Sequence, residues 1–103
     1  MGPLIQTGRL SLKSPARSEV QSGETATFVS VDFPVPFPAD ASVAVVPFVQ
    51  TFHGPDTPGL RIADVTPKGF KIRMNELVGN GGQSILSNGV HCAEDIAWIA
   101  FVS

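Results

Sequence analysis

Charge is scarce in this chain, and what there is nearly cancels. Charged residues make up 16% of the 103 residues and the formal net charge is -2. There is no basic balance of the kind that draws a protein to nucleic acid or to an anionic membrane. No apolar run approaches the ~20 residues of a membrane-spanning helix, so no membrane insertion is expected. The opening residues Met1-Gly2-Pro3-Leu4-Ile5 lack the basic start and apolar core of a signal peptide. The chain is then cytoplasmic, released without a classical signal, or a mature form whose targeting segment is gone. Cys92 is the only cysteine, which rules out an internal disulfide and leaves the redox compartment open. Helical periodicity, internal repeats and linkers are missing as well. Hydrophobic residues at 43% exclude a disordered chain. Residues 1–103 are expected to form one domain, large enough for one core but marginal as a free monomer.

What is present is period-two patterning punctuated by proline and glycine. The closing stretch Asp95-Ile96-Ala97-Trp98-Ile99-Ala100-Phe101-Val102-Ser103 sets Ile96, Trp98, Ala100 and Val102 on one face of a strand. Ala97, Ile99 and Phe101 fall on the other. A strand apolar on both faces belongs inside a sandwich or under another subunit. Before it, residues 5–12 alternate, with Leu10 and Leu12 together and Gly8 a candidate bulge. Residues 13–24 are polar and form a surface loop. A second strand is expected over 26–33, ended by Pro34, Pro36 and Pro38, which offer no amide hydrogen. Residues 42–52 are strongly apolar, but Pro47 demands an edge position, a bulge or two short strands. Turn residues fill 53–59. Strands over 60–66 and 70–77 flank Thr66-Pro67-Lys68-Gly69, whose proline and glycine suit a type I turn and hence a hairpin. A Gly/Asn/Ser-rich loop covers 78–89, with Ile85-Leu86 a short strand or an anchor. The pattern is all-β: about six strands in an antiparallel β-sandwich.

The chemistry of catalysis is thin. His53, His91 and Cys92 show no metal-ligand spacing. Adjacent His91 and Cys92 would point to opposite faces of a strand, which argues against a dyad. Gly79-Asn80-Gly81-Gly82 precedes no helix that could bind phosphate. Glu94 and Asp95 diverge on a strand and read as a solvated strand end. No catalytic residue, metal or cofactor is expected. Binding groups are better represented. Arg61, Arg73, Asn75 and Glu76 lie in or beside the hairpin, and Asn80, Gln83 and Asn88 follow it. Amides with an arginine and a carboxylate can hydrogen-bond sugar hydroxyls in pairs; a solvated polar rim is the plainer account of the same residues.

Several motifs together resemble the H-type lectins. They are Val65-Thr66-Pro67-Lys68-Gly69-Phe70-Lys71, the preceding Leu60-Arg61 and the closing Ala97-Trp98-Ile99-Ala100, with the opening Ile5-Gln6-Thr7-Gly8-Arg9-Leu10 and Ser30-Val31-Asp32-Phe33. The resemblance implies a six-stranded antiparallel sandwich, a parallel homotrimer, and galactose or N-acetylgalactosamine held in grooves between subunits. It places a sugar-contacting arginine at Arg61 and an acidic sugar ligand near Ser22, with Glu19 and Glu24 the nearest acids. The family's aromatic platform falls near Leu77 and Val78, and a further aromatic contact at His91 and Cys92. The site residues expected from pattern and resemblance together are Arg61, His91, Asn80, Glu24 and Asn75, with multivalent glycans as partners. An extracellular or virion-associated setting goes with that reading. The rival, from a different class, is a structural trimer of a phage tail or secreted matrix with a degenerate sugar site.

Overall fold

The computed structural model describes residues 4–14, 23–55, 57–80, 83–86 and 92–103, with the backbone alone over 76–80 and 83–86. Among the described residues there are seven strands: β1 (Ile5–Leu12), β2 (Val29–Asp32), β3 (Val43–Val49), β4 (Thr57–Thr66), β5 (Gly69–Asn80), β6 (Gln83–Leu86) and β7 (Glu94–Val102). They form two antiparallel sheets. One has the order β1-β7-β3; the other has the order β2-β5-β4, with β6 paired to the far end of β5. The described residues contain no helix, and the expected all-β class holds. The closing strand is central, as its two apolar faces require.

The core lies between the sheets. Leu12, Ile96, Trp98 and Ala100 from one sheet meet Phe70, Ile72 and Met74 from the other, with Phe33 and Phe37 from the connection after β2. Trp98 joins the layers, packing edge-on to Phe70 at 5.3 Å between ring centroids and tilted against Phe33 at 5.6 Å. Such offset and edge contacts suit the charge distribution of aromatic rings. The indole has room because Gly8 stands directly beside it on β1. A β-carbon at Gly8 would fall well inside van der Waals distance of the ring. Gly8 is therefore not the expected bulge: β1 and β7 stay in unbroken register from Ile5–Phe101 to Leu12–Glu94.

Pro47 sits within β3, across from Trp98, and β3 is an edge strand of its sheet. An edge is where a residue without an N–H is tolerated. The same reason admits Pro58 to β4, which starts at Thr57, so the tail of the expected turn over 53–59 is strand instead. The hairpin turns at Pro67-Lys68 as expected. Thr66 secures it, its Oγ1 accepting the Lys68 and Gly69 amides at 3.1 and 3.3 Å. An extra residue between Ala63 and Thr66 makes a bulge in β4. Asp64 takes φ 50 there, in the left-handed region that aspartate enters more readily than most residues.

Two expectations need correction. The second strand is shorter than 26–33, because a turn closed by the Phe28 amide on the Thr25 carbonyl at 3.1 Å occupies its first part. The segment 78–89 is not simply a loop: β5 continues to Asn80 and β6 returns along it, pairing Leu77 with Leu86 and Val78 with Ile85. With β6 the described residues hold seven strands rather than about six.

Replacing Gly8 by alanine should cost about 1–3 kcal/mol through overpacking against Trp98, although alanine normally favours a strand over glycine. Trp98→Ala should cost roughly 3–5 kcal/mol. In the double variant most of the Gly8→Ala penalty should vanish, as the freed space admits the methyl group. Denaturant unfolding of the four proteins checks this; additive losses would mean the two residues do not compete for one space.

Candidate functional site

Two polar constructions and one apolar surface stand out. The first lies where β3 ends and β7 begins. Glu94 is buried, with 3% of its surface exposed. Its carboxylate accepts hydrogen bonds from Thr51 Oγ1 at 2.6 Å, from the His53 amide at 3.0 and 3.1 Å, and from the Gly54 amide at 2.9 Å. The backbone adds the Gln50 amide on the Asp95 carbonyl at 2.7 Å and the Asp95 amide on Thr51 Oγ1 at 2.9 Å. Gly54 is buried against Cys92, where a side chain would be crowded, its β-carbon 3.0 Å from that of Cys92. Hydrogen bonds from Thr51 and Gly54, then from the His53 amide, with the imidazole 3.7 Å away, hold the Glu94 carboxyl below its ordinary value of 4.5 against the opposing effect of desolvation. The expected solvated strand end is thus, at Glu94, a buried anchor for the loop over 50–54.

That loop displays what it anchors. Phe52 is 90% exposed. His53 is exposed too, its Nδ1 lying 3.0 Å from the Ala93 carbonyl. Because a carbonyl only accepts, Nδ1 carries the proton of this contact.

The second construction is the outer side of β4 and β5. Arg61 and Arg73 are direct partners across that ladder, yet Arg61 is exposed and Arg73 is only 1% exposed. The turn before β2 accounts for the difference. Arg73 donates through Nη1 to Thr27 Oγ1 and through Nε to Asn75 Oδ1 at 2.8 Å. Among the expected site residues, Arg61 and Asn75 therefore share a face, and half-buried Glu24 belongs to the segment that covers it. Asn80 lies apart, at the end of the β5–β6 ladder opposite Gln83. His91 falls outside the described residues. Sequence reasoning missed Phe52 and the buried role of Glu94, because nothing in the pattern links Glu94 to partners 40 to 43 residues away.

The apolar surface is the outer face of the β1-β7-β3 sheet, whose cross-strand rows run Ile5–Phe101–Ala44, Thr7–Ile99–Val46 and Arg9–Ala97–Phe48. Among the described residues, no group of three or more His, Cys, Asp or Glu side chains could hold a metal ion, and no helix is long and apolar enough to cross a membrane.

Compared with protein-family models, curated proteins and solved structures, the chain matches none.

The Glu94 anchor sets a pH dependence. A carboxyl whose folded value lies below its unfolded one stabilises the fold fully above the unfolded value, and that stabilisation is lost as pH falls through the folded one. Glu94→Gln keeps the shape but turns an NH2 toward backbone N–H groups. The parent should therefore melt at a higher temperature than Glu94→Gln at pH 7, and the gap should close as pH drops below 4.5. Thermal unfolding followed by circular dichroism from pH 7 to 3 checks this; a gap independent of pH would mean the charge is not what anchors the loop.

Proposed function

We propose that the protein is a non-catalytic, homotrimeric carbohydrate-binding module of the H-type lectin kind. It assembles through the outer face of the β1-β7-β3 sheet and holds galactose- or N-acetylgalactosamine-type glycans in grooves at the subunit boundary. The observation that carries this reading is that outer face. Thr7 and Arg9 interrupt its three apolar rows, Ser11 and Asp95 form a polar row beyond them, and Ile5, Val46 and Phe48 are 64%, 47% and 39% exposed. From strand spacing and rise the patch spans roughly 14 by 20 Å, comparable with the largest apolar patch of an ordinary monomer, which is often functional. Ala97, Ile99 and Phe101 are only half-buried within one chain. A neighbour that covered them would complete what a two-faced apolar strand needs.

The glycan half of the reading is supported by the resemblance of the hairpin and closing-strand motifs, and by the exposed Arg61 beside Asn75; these two lie on the outer face of the β2-β5-β4 sheet, so they border a groove only where a neighbour also reaches that side of the sandwich. Each hydrogen bond to a sugar hydroxyl contributes only about 0.5–1.5 kcal/mol net, since water is displaced in exchange. One site is therefore weak, and three on one trimer raise avidity by roughly 10²–10⁴ where the spacing fits. One observation favours a purely structural trimer instead: the Asn75 side-chain carbonyl already accepts from Arg73, which removes one of the expected acceptors from a ligand.

Two outcomes are expected. Ile99→Asp places a charge in the covered layer, at a cost of several kcal/mol to assembly, and should give monomers by light scattering where the parent gives trimers. A parent that is itself a folded monomer at micromolar concentration would end the assembly. Arg61→Ala should leave the trimer intact and lose retention on a multivalent glycan surface; equal retention would remove Arg61 from the site, and a parent that binds no glycan would leave the structural trimer as the reading.

A further inference from the structure

We infer that Phe52 and His53 form a separate aromatic contact for the sugar ring, a platform built on the β3–β4 loop and distinct from the Arg61 face. The inference rests on the glycan-binding reading and deepens it. Its starting point is a contradiction between exposure and order. A phenylalanine that is 90% exposed contributes nothing to the core. Yet the backbone on both sides of it is among the most firmly held in the molecule. Thr51, His53 and Gly54 all bond to the buried Glu94 carboxylate, and Gln50 bonds to Asp95. Fixing a loop costs conformational entropy, and here the fixed loop presents a phenyl ring to water. A ring displayed in this way has already met much of the ordering cost of binding.

The chemistry of the neighbours narrows the ligand. His53 Nδ1 is occupied by the Ala93 carbonyl at 3.0 Å, so the other ring nitrogen is left for a hydroxyl, accepting from it when the ring is neutral and donating to it when the ring is protonated. Gln50, on the same loop, is exposed and brings an amide that can both donate and accept. A loop that carries an exposed apolar ring together with an imidazole and an amide suits a small, neutral ring with one C–H face and hydroxyls around its rim, which describes a pyranose. A lipid surface is a poorer match: no lysine or arginine occurs between residues 47 and 55 to meet anionic headgroups, and the formal net charge is -2. The platform also supplies what the Arg61 face lacks, an exposed aromatic surface.

The test uses the full chain and agarose beads carrying immobilised galactose or N-acetylgalactosamine, with light scattering on every variant. Phe52→Ala should remain folded and trimeric, because the side chain touches little of its own protein, and should elute at roughly tenfold lower competing sugar, the size of one stacking contact. Phe52→Trp should restore or exceed parental retention. His53→Ala should weaken retention about three- to tenfold, as for one lost hydrogen bond. Parental retention that Phe52→Ala leaves unchanged would overturn the platform while the glycan reading stands. Loss of the trimer in Phe52→Ala would overturn it by making Phe52 an assembly residue. A parent retained on neither kind of bead would overturn the glycan reading and the platform with it.

Discussion

The contact between Trp98 and the residues around it is the constraint on which the rest of the fold depends. The indole stands on the central strand of one sheet and packs against Phe70 of the other, with Phe33 from the connection between them closing the group. Its row across the sheet reads Gly8, Trp98, Pro47. Glycine on one side gives the ring its space, and proline on the other belongs to an edge strand that can accept it. A slip of one residue in either ladder would send the indole to the outer face and place another side chain over Gly8. The register of the whole sheet is therefore written into one large ring and one absent side chain.

The connection after β2 depends on the same cluster. Phe33 and Phe37 are buried beside Trp98 and Phe70, while the prolines between and after them lie outside. The backbone amides of Phe33 and Phe37 bond to the carbonyls of Lys68 and Pro67 in the hairpin turn, at 2.9 and 2.8 Å. Gln6 then holds Val35, accepting its amide at 3.0 Å and donating to its carbonyl at 2.5 Å. The proline-bearing arm so links both sheets at the end of the molecule where the hairpin turns.

The apolar pattern was legible where period two was strong: the central closing strand, the hairpin at Pro67-Lys68, and a strand over Pro47, for which an edge position is one of three readings the residues leave open. Three buried polar groups were not. Gln6 lies on the inner face of β1 while Ile5 faces out, Arg73 is covered on the outer face of β5, and Glu94 is enclosed at the start of β7. By composition alone each would be assigned to solvent. Each is buried because its partners come from elsewhere in the chain: the Val35 backbone 29 residues away, Thr27 46 residues away, and the loop over 51–54. Burying a polar group is tolerable only when its hydrogen bonds are supplied, and the supply is a property of the tertiary structure. The same blindness hid Phe52, whose significance comes from the Glu94 anchor beneath its loop.

The edges of the sheets bear on how the molecule can associate. An open edge invites another chain to add a strand, and proteins suppress this with prolines, bulges and charge. β3 is an edge and carries Pro47. β4 is an edge and carries Pro58, together with a bulge at which Asp64 pairs with Lys71 at 3.3 Å. Both strands thereby resist edge-to-edge extension, which would otherwise lead to open-ended aggregates rather than a closed oligomer. The outer face of β1-β7-β3 carries no such device. Its centre is apolar, and its charged members lie toward its margins, Arg9 on the edge strand β1 and Asp95 at the start of β7. In that sheet Pro47 blocks the β3 edge while the face centred on β7 stays open, so a partner that covers the sheet meets its face rather than that edge.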